Sequence, residues 1–529
     1  MSTLPRRGFL TAAAGALAAS ALPGLPAQAA AKHRRYNVTS PQGQAMLRIY
    51  ALAVDRMLEL PPSHPHNWFR NAFVHFMDCP HGNWWFYVWH RGYIGFFEET
   101  IRAVSGHPVF TIPYWDWTQL PRIPAEMFDG VLDPTSHRYQ RFTKNLAVFT
   151  DYIKPTMQNY WNAMTPAQLA QQKSRELETF TDLWNNMLAY DTETEIASAG
   201  DIAFAPTASA RYLSRDNPDF NESTASTVKP DVIIRGLAPT EFNDEKDVAK
   251  GFTSAYATSH NVAPAGRQSF STLEGQPHNT IHNYIGGAGP LNYGPFGNMT
   301  NNLSPIDPIF FLHHSNMDRL WDVWTRKQQR LGLPYLPTDP QRRAQFLAEP
   351  FLFFVDGRGQ YVTNGKAADY VSTARFDYDY QPGFPEVSGL LLGQTSPLLS
   401  APPRSLRTFT GTVNGANAGT LQLPVPALRA FAGSAASELT LEVTVVRPGS
   451  ERIFDVVVDG ATVATFSFFA PPMRGMPMEA TFAIPLVPQT RALLGAASGT
   501  SGGTLSVSVI ASQGRGVAPK LTALAAVGQ

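Results

Sequence analysis

Histidine is the residue type in this chain that is best placed to do chemistry. Seven of the thirteen histidines of the 529-residue sequence fall into two short stretches. The first holds His75, His81 and His90, and the second holds His278, His282, His313 and His314. Neutral imidazole is a good ligand for copper and zinc. Two matched groups of three histidines therefore predict two metal ions held side by side.

The spacing in the second stretch favours one kind of metal site over another. His278 and His282 lie four residues apart, so on a helix they project from one face. Zinc proteases use this spacing with a glutamate directly after the first histidine, but this chain has Asn279 there, so the general base is missing. Only one side chain of the pair His313-His314 is expected to face the metal, because neighbouring helical side chains point in different directions.

The first stretch has an alternative explanation. His75, His81 and His90 lie among several tryptophans, and any one of them taken alone could be a core residue. Two complete triads are harder to explain in this way, and they favour the ligand hypothesis. A zinc hydrolase is disfavoured, because the six predicted ligands are neutral and include no carboxylate.

The elements that must position these residues are mainly helical. Apolar periodicity predicts an amphipathic helix over 41–60 and a second over 84–104 that carries His90 near its start. Residues 140–200 are predicted to be mainly helical, and Ser304-Pro305 and Asp307-Pro308 precede a helix that runs to Arg330. The Gly/Asn-rich segment 283–304 is predicted to be a loop.

The composition changes near 383–404, where prolines punctuate a segment rich in Gly, Ser and Leu. The chain beyond has no His and no Trp, and its short apolar runs alternate with period two, which predicts an antiparallel sandwich or barrel. We therefore predict a mainly α catalytic domain over 36–382, a Pro-rich linker over 383–403 and an all-β domain over 404–529.

The bulk composition narrows the class of partner. The chain has 42 basic and 42 acidic residues, 43% hydrophobic and 16% charged residues, as expected of a globular protein. Because there is no long Lys/Arg run, nucleic acid and anionic membrane are not expected as partners. No apolar stretch after the first thirty residues is long enough to span a bilayer, so no stable membrane association is expected.

The N-terminus predicts export. Arg6-Arg7 begins a twin-arginine signature, an Ala-rich apolar run follows, and Ala27-Gln28-Ala29 is a suitable cleavage site. Residues 1–29 are thus predicted to be a twin-arginine signal peptide that directs the protein to the periplasm or the outside of the cell. Cys79 is the only cysteine, so an internal disulfide is excluded.

Two long motifs carry a family resemblance. The segment from Asn67-Trp68 through His75, Cys79-Pro-His81-Gly and Trp89-His90-Arg91 to Ile112-Pro-Tyr-Trp-Asp-Trp117 resembles the first copper motif of tyrosinases and polyphenol oxidases. The segments 273–283 and 307–321 resemble the second. The similarity covers residues from about 40 to 382 and ends at Tyr378-Asp-Tyr380. It implies a helical bundle around a type-3 dicopper centre.

The resemblance also implies roles for individual residues. One copper would be held by His75, His81 and His90, and the other by His278, His282 and His314. His313 would then lie behind the ligands, and Asp318 would either orient an imidazole or pair with Arg319. Cys79 would be joined to His81 by a thioether bond.

Further positions in the family pattern point to proton and substrate handling. Glu274 and Asn279 correspond to a pair that holds a water near copper and helps to deprotonate a monophenol; alternatively, Glu274 bonds the backbone of 275–277. Asn283, Asn301 and Asn302 would line the substrate entrance.

The C-terminal residues resemble, more weakly, the covering domain of plant polyphenol oxidases. The resemblance rests on Phe454-Asp-Val, and it makes Phe468 or Phe469 the candidate for a side chain that reaches the pocket. Met473, Met476 and Met478 would either pass Cu(I) from a copper-delivery partner or simply pack at the domain interface.

The function implied is the copper-dependent oxidation of phenols and o-diphenols by O2 to o-quinones, with a small phenolic compound as substrate. Two alternatives use the same ligands. An o-aminophenol oxidase would employ the same two coppers, and a hemocyanin-like protein would carry O2 without oxidising a substrate. The predicted signal peptide disfavours the carrier.

Overall fold

The fold is given by a computed structural model, which describes residues 31–188, 211–261, 267–287, 297–388, 405–433, 439–448, 452–469, 479–487, 490, 503–512 and 516–528. The predicted signal peptide, residues 389–403 of the predicted linker, and Met473, Met476 and Met478 lie outside the described residues. None of the described helices is long and apolar enough to cross a membrane.

The described part of residues 31–388 is built mainly from helices. They are α1 (Pro41–Glu59), α2 (Trp68–Asp78), α3 (Phe86–Ser105), α4 (His137–Thr143), α5 (Leu146–Asn162), α6 (Pro166–Ser174), α7 (Phe180–Met187), α8 (Glu222–Thr227), α9 (Pro230–Leu237), α10 (Asn279–Gly286), α11 (Ile309–Leu331) and α12 (Pro340–Ala348). The helices predicted over 41–60, 84–104 and 305–331 correspond to α1, α3 and α11.

Local signals in the sequence set the ends of the main helices. Ser40 caps α1 by accepting the N–H of Gly43, and Asn67 caps α2 by accepting two backbone N–H groups. The helices α3 and α11 each end at a glycine in the left-handed conformation, Gly106 with φ of 76° and Gly332 with φ of 68°. These ends fix which residues of α2, α3 and α11 face the interior.

Four helices form the centre of the bundle. α3 packs against α1 and α11, and α2 packs against α1. Aromatic rings fill the space between them: Phe97 of α3 stacks on Phe311 of α11 with centroids 3.5 Å apart, and Trp68 of α2 lies 6.1 Å from Phe311. This core brings the histidine-bearing parts of α2, α3 and α11 together.

The two ends of the helical region are tied to each other. β1 (His33–Arg35) pairs in parallel with β5 (Tyr378–Tyr380). Behind this pair, the carboxylate of Asp318 accepts hydrogen bonds from Arg35, Arg91 and both tyrosines of β5. Asp318 therefore orients no imidazole and does not pair with Arg319, contrary to both sequence-based expectations, because two buried guanidinium groups and two hydroxyls saturate its oxygens.

The expectation that 283–304 is a loop is wrong in part. α10 continues to Gly286, because Tyr284 and Ile285 extend its buried face, and Gly287 ends it with φ of 89°. Residues 298–300 and 304–306 form short 3-10 turns, and residues 288–296 lie outside the described residues. The high glycine and asparagine content of 283–304 is the basis of the loop prediction, although the last turn of α10 lies at its start.

The C-terminal region is a β-sandwich with one short helix, α13 (Val425–Gly433). The described strands other than β1 and β5 are β2 (Gln268–Phe270), β3 (Pro350–Phe351), β4 (Gly365–Lys366), β6 (Arg407–Thr410), β7 (Thr412–Val413), β8 (Ala418–Gln422), β9 (Leu439–Val446), β10 (Ile453–Val458), β11 (Ala461–Ser467), β12 (Glu479–Pro485), β13 (Thr504–Ala511) and β14 (Lys520–Gly528). Of these, β3 and β4 form a small separate sheet in the helical domain. Two five-stranded sheets, ordered β11-β10-β13-β8-β7 and β2-β12-β9-β14-β6, share one apolar core. The predicted fold class is confirmed.

One strand of the sandwich comes from the helical domain. β2 pairs in parallel with β12, from Gln268 opposite Ala480 to Phe270 opposite Phe482. The ring of Phe270 stacks on that of Phe482 with centroids 4.9 Å apart. Because β2 lies only a few residues before Glu274 and His278, the C-terminal sheet is joined directly to the backbone that leads into the second histidine stretch.

Candidate metal centre

The first histidine cluster is assembled by α2, α3 and the loop between them. His75 lies in the last turn of α2, His81 in the loop, and His90 in the second turn of α3. One potential ligand atom from each of these residues and from Cys79 lies within 4.8 Å of the others, and all four side chains are buried. The structure thus brings together the three histidines that were predicted to hold one metal.

The second cluster is assembled by α10, the turn before it, and α11. His278 ends a π-helical turn over Glu274–His278, His282 lies in α10, and both His313 and His314 lie near the start of α11. Ligand atoms of these four histidines also lie within 4.8 Å of one another. A ligand atom of His313 lies in the cluster as well as one of His314, and which of the two would bind a metal stays a prediction.

The π-helical turn has a visible cause. Pro277 lies inside it and has no N–H to donate, so the regular α-helical hydrogen-bond pattern cannot continue through this position. Such turns are often found at functional sites, where an extra residue redirects a side chain. Here the turn immediately precedes α10 and sets the direction of His278.

The two clusters share one buried space. The ring of His314 stacks on that of His90, with centroids 4.2 Å apart and planes 10° apart. His81 and His278 lie 5.9 Å apart between ring centroids. Two metals bound by the two triads would therefore be neighbours.

Hydrogen bonds fix the orientation of four imidazoles. In each case Nδ1 lies against an oxygen that can only accept: the carbonyl of Asn302 for His75 (3.0 Å), of Phe86 for His90 (2.7 Å), of Met299 for His282 (2.7 Å), and the side-chain oxygen of Asn279 for His278 (2.8 Å). Nδ1 must therefore carry the proton, and Nε2 keeps a lone pair for a metal.

The free nitrogen atoms fit a pair of metal ions. Within the described residues, Nε2 of His75 and Nε2 of His278 are buried and have no hydrogen-bond partner. Nε2 of His282 lies 3.1 Å from Nε2 of His314. Without an ion this is a hydrogen-bond distance, with the Nε2 of His314 as the donor. Two nitrogens that each lie about 2.0–2.1 Å from one ion would also be separated by about 3 Å, so the same positions suit a shared cation.

The protonation states agree with this interpretation. Burial lowers the pKa of His75 and of His278 to about 3. Burial also moves the pKa of His81, His90 and His314 well below the ordinary value. Neutral imidazoles are the form that binds copper, whereas a site for acid–base catalysis near neutral pH would need higher values.

Cys79 lies inside the first cluster. Its sulfur is 3.7 Å from Nε2 of His81 and 3.4 Å from Nε2 of His90, and burial raises the pKa of the thiol well above its usual range. The thiol is therefore close to His81, as the predicted thioether requires, but it is slightly closer to His90. The thioether stays a prediction.

Glu274 links the two clusters, because it lies four residues before His278 in the chain and its side chain bonds the backbone directly after His81. Its carboxyl oxygens accept hydrogen bonds from the N–H of Gly82 (2.7 Å), directly after His81, and from the hydroxyl of Ser254. Burial raises its pKa to about 8. These partners lie outside the turn at 275–277 that the sequence suggested, and the role of Glu274 as a water acceptor stays a prediction.

Asn279 and Asn283 contact the C-terminal domain. The amide nitrogen of Asn279 donates to the carbonyl oxygen of Ser467 at 2.7 Å. The amide nitrogen of Asn283 donates to the hydroxyl of Ser467 and to the carbonyl oxygen of Phe468 at 2.5 Å. In this arrangement Ser467 of β11 and Phe468, the residue after it, accept the hydrogen bonds of both amides, and the predicted roles of Asn279 and Asn283 toward water and substrate stay predictions.

Phe469 reaches the centre of the site. Its ring stacks on His81 with centroids 4.2 Å apart and meets His282 edge-on at 4.7 Å. Phe468 instead points into the sandwich, where it contacts Phe482 at 5.0 Å. Of the two phenylalanines proposed from the sequence, the structure selects Phe469 as the one that fills the pocket.

Asn301 and Asn302 are buried in the loop beside both clusters. The side-chain oxygen of Asn301 accepts the N–H of Leu303 at 2.9 Å, and it is the backbone carbonyl of Asn302 that holds His75. Together with the carbonyl of Met299, this loop orients one imidazole of each cluster. A direct contact of Asn301 or Asn302 with substrate stays a prediction.

The sequence did not reveal the groups that orient the imidazoles. The carbonyls of Phe86, Met299 and Asn302 act through the backbone, and a backbone carbonyl has no residue-specific signature. The main-chain carbonyl of Ser467 escaped prediction for the same reason. Only proximity in the chain could have suggested Phe86, because it lies four residues before His90 in the same helix.

Comparison with known proteins places these observations in a family. The family model for the common central domain of tyrosinase matches residues 33–327, more than half of the chain. A chloroplastic polyphenol oxidase of Malus domestica is 23% identical over 64% of this chain and 46% of its own length. A tyrosinase of a Hahella species is 26% identical over 58% of this chain and 48% of its own. The chain thus matches about half the length of these relatives.

Solved structures share the fold of both domains. A latent apple tyrosinase superposes with a TM-score of 0.52 at 19% identity and covers 96% of this chain and 98% of its own. A latent aurone synthase, described as a polyphenol oxidase, gives 0.54 at 17% identity and covers 93% and 89%. At these identities the likeness is one of fold, and it includes the C-terminal sandwich.

Proposed function

This chain belongs to the tyrosinase family, and from that premise we propose that it oxidises o-diphenols and monophenols with O2 to o-quinones through two bound coppers. The observation that carries the proposal is the meeting of two buried triads of neutral imidazoles whose Nε2 atoms point into one space. His75, His81 and His90 would hold one ion, and His278, His282 and His314 the other. Bound copper supplies the exchange of electrons between the phenol and O2.

The protein orients the metal-binding imidazoles and excludes water from the site. Carbonyl oxygens hold the imidazoles of His75, His90 and His282 in the tautomer that binds metal, so the ligands need little reorganisation when an ion enters. The predicted ligands are at least 92% buried, since the most exposed of them, His81, has 8% of its surface accessible. Such a pocket excludes water from the reacting phenol.

Glu274 and Asn279 are the groups that we assign to proton handling. A water held between them could accept the proton of a monophenol, which a diphenol can lose by other routes. In the covered arrangement the amide of Asn279 already donates to Ser467, and both oxygens of Glu274 already accept hydrogen bonds. This role therefore requires that the residues around Ser467 first move away.

The C-terminal domain is proposed to keep the enzyme latent. Phe469 fills the space over His81 and His282 that a phenolic ring would need, and Asn283, a candidate rim contact for substrate, is bonded to the same segment. The apple and aurone synthase structures with this two-domain fold are themselves described as latent. The domain would thus act as a shield whose displacement opens the site.

Export and copper delivery complete the proposal. We assign residues 1–29 to a twin-arginine signal peptide and the protein to the periplasm or the outside of the cell. The twin-arginine route carries folded proteins, which would allow a partner to deliver copper before export. The N-terminal sequence of the protein recovered outside the cytoplasm tests this: a mature chain that starts near Ala30 supports it, and an intact Arg6-Arg7 segment contradicts it.

Metal analysis and an oxygen-uptake assay test the main proposal. The copper-loaded protein should contain two coppers per chain and consume O2 when catechol is added. His90→Ala and His282→Ala should each lose one copper and nearly all oxidation, whereas His107→Ala, which alters an exposed histidine outside both clusters, should lose neither. Full activity in either of the first two variants would refute the ligand assignment.

A further inference from the structure

Three amide side chains connect the second histidine cluster to the C-terminal domain. Gln276, Asn279 and Asn283 are spaced by three and four residues, so they lie along one side of the turn and helix that carry His278 and His282. Their amide nitrogens donate to three carbonyl oxygens in order along the chain: Thr465 at 3.0 Å, Ser467 at 2.7 Å and Phe468 at 2.5 Å. We call this set the amide ladder.

The ladder caps an edge strand. Among the described strands β11 is the outermost of its sheet and pairs with β10 alone, so one row of its backbone groups has no strand partner in that part of the chain. The carbonyls of Thr465 and Ser467 are two residues apart and point to the same side, as alternate carbonyls of a strand do. Gln276 and Asn279 thus satisfy buried acceptors that would otherwise destabilise the docked domain.

Asn279, the second residue of the amide ladder, also bonds a histidine of the cluster. Asn279 donates to Ser467 through its nitrogen while its side-chain oxygen accepts the Nδ1 hydrogen of His278 at 2.8 Å. An amide presents its oxygen and its nitrogen on opposite sides, so the carbonyl of Ser467, which can only accept, decides which way the amide faces. The oxygen is then forced toward His278, and Nδ1 of His278 must hold the proton.

The other oriented imidazoles take their partners from the helical domain. Those of His75, His90 and His282 bond to carbonyls of Asn302, Phe86 and Met299. Arg452 of the sandwich donates to the carbonyl of Thr300 in the same loop as Met299 and Asn302, but this bond does not involve Asn279. Among these four imidazoles, His278 is therefore the one whose orienting side chain is itself bonded to the sandwich. The two metal positions should then respond differently to a change at Asn279.

We propose that the C-terminal domain, through the carbonyl of Ser467 and the amide of Asn279, fixes the metal-binding tautomer of His278 and so preorganises the second metal position that it also covers. Asn279 is thereby a positioning residue, beyond the proton-handling role considered above. The inference rests on the proposed function, since it takes the His278 cluster to be a copper site. It adds that the covering domain is part of how that site is built.

The test compares Asn279→Ala with a matched control, Gln276→Ala. Each removes a ladder amide and its hydrogen bond to a strand carbonyl, but of the two only Asn279 also accepts a hydrogen bond from an imidazole. Copper(I) affinity is measured against a chromophoric chelator in two backgrounds of the full chain. His90→Ala removes a ligand of the first cluster so that the second is titrated, and His282→Ala does the reverse.

The expected result is selective. Adding Asn279→Ala to His90→Ala should weaken copper binding by about 10–100-fold, the usual effect of removing the partner of a ligating histidine. Adding it to His282→Ala should leave the affinity of the first cluster unchanged, which also shows that the variant is folded. Gln276→Ala should change neither affinity by more than about two-fold, well below that range.

Three results would overturn the inference. An unchanged affinity of the second cluster in Asn279→Ala would show that the amide does not position His278. An equal loss at both clusters, reproduced with the isosteric Asn279→Leu, would show a general structural role, and a loss of the same size in Gln276→Ala would assign the effect to domain docking alone. Failure of His90→Ala by itself to bind any copper at the second cluster would instead refute the proposed function.

Discussion

Replacing Phe469 by alanine should convert the covered protein into an active one. The phenyl ring is 5% exposed and occupies the space over the two clusters, 4.2 Å from the ring centroid of His81 and 4.7 Å from that of His282. Phe469→Ala removes this ring and leaves the amide ladder intact. The vacated volume matches the ring of a phenol, because the side chain and the substrate have the same six-membered carbon ring.

The size of the effect follows from the burial of this side chain. Burying a phenylalanine side chain contributes about 1.5–3 kcal/mol, so its loss weakens the docked state by about that amount. If turnover requires the uncovered state, its population and the rate on catechol should rise by about 10–100-fold, since every 1.4 kcal/mol is a factor of ten. The oxidation rate of a small diphenol should rise further, because the diphenol can enter the space left by the ring even while the domain stays docked.

The assay is oxygen uptake with catechol and with a bulky diphenol, at equal copper content. The matched control is Phe468→Leu, one residue away, whose ring packs on Phe482 in the sandwich and does not face the metals. The control should lower the thermal stability of the sandwich without raising the rate on catechol comparably. Phe469→Ala protein that holds two coppers but is no faster on either substrate would show that Phe469 does not limit access.

Three further outcomes test other parts of the structure. Cys79 should resist alkylation after denaturation of the copper-loaded, oxygen-exposed protein, with a loss of about two hydrogens in intact mass, because its sulfur lies beside His81; a freely alkylated thiol in active enzyme would exclude the thioether. Glu274→Gln should slow monophenol turnover more than diphenol turnover, and an equal loss would make Glu274 purely structural. Glu442 has a pKa raised by burial from 4.5 to about 7, so its contribution to stability is complete below pH 4.5 and is lost as the pH rises through 7. Glu442→Gln should therefore flatten the fall of thermal stability over that window, by up to about 3 kcal/mol; an unchanged slope would contradict the buried carboxyl.

The sequence predicted those features that depend on side-chain type and spacing. Metal ligation needs particular side chains, so His75, His81, His90, His278 and His282 could be found from the chain alone. Helix ends marked by Ser40 or Gly106, and the period-two strands of the sandwich, are equally local signals. These features account for the fold class and the location of both clusters.

Other features depend on tertiary contacts between distant segments. Asp318 lies one turn after His314, which suggested a role at the metal, but Arg35 and Arg91 from far along the chain claim its oxygens. The addition of β2 to the C-terminal sheet has no signal of its own, because a three-residue strand is too short to show periodicity. His313 lies in the second cluster together with His314, because two adjacent positions of a helix can both border a pocket that lies between helices.

Residues 465–469 of the C-terminal domain have two opposite effects on the site. Phe469 obstructs the site, whereas the amide ladder, whose carbonyls lie one to four residues before it, holds the helix of His278 and His282 in place. Three amide hydrogen bonds at about 1 kcal/mol each, added to the burial of the ring at about 1.5–3 kcal/mol, contribute a factor of about 10³–10⁴ to the preference for the docked state. A phenol that replaces the ring alone recovers only the smaller part of that energy, so substrate by itself does not release the domain. Withdrawal of Phe469 with the ladder kept would expose the metals while His278 stays oriented, and complete release would expose them at the cost of that orientation. For diphenols the arrangement therefore favours opening by a local movement after Phe468 over removal of the whole sandwich, whereas monophenols, whose deprotonation is assigned to Asn279, also require the carbonyl of Ser467 to move away.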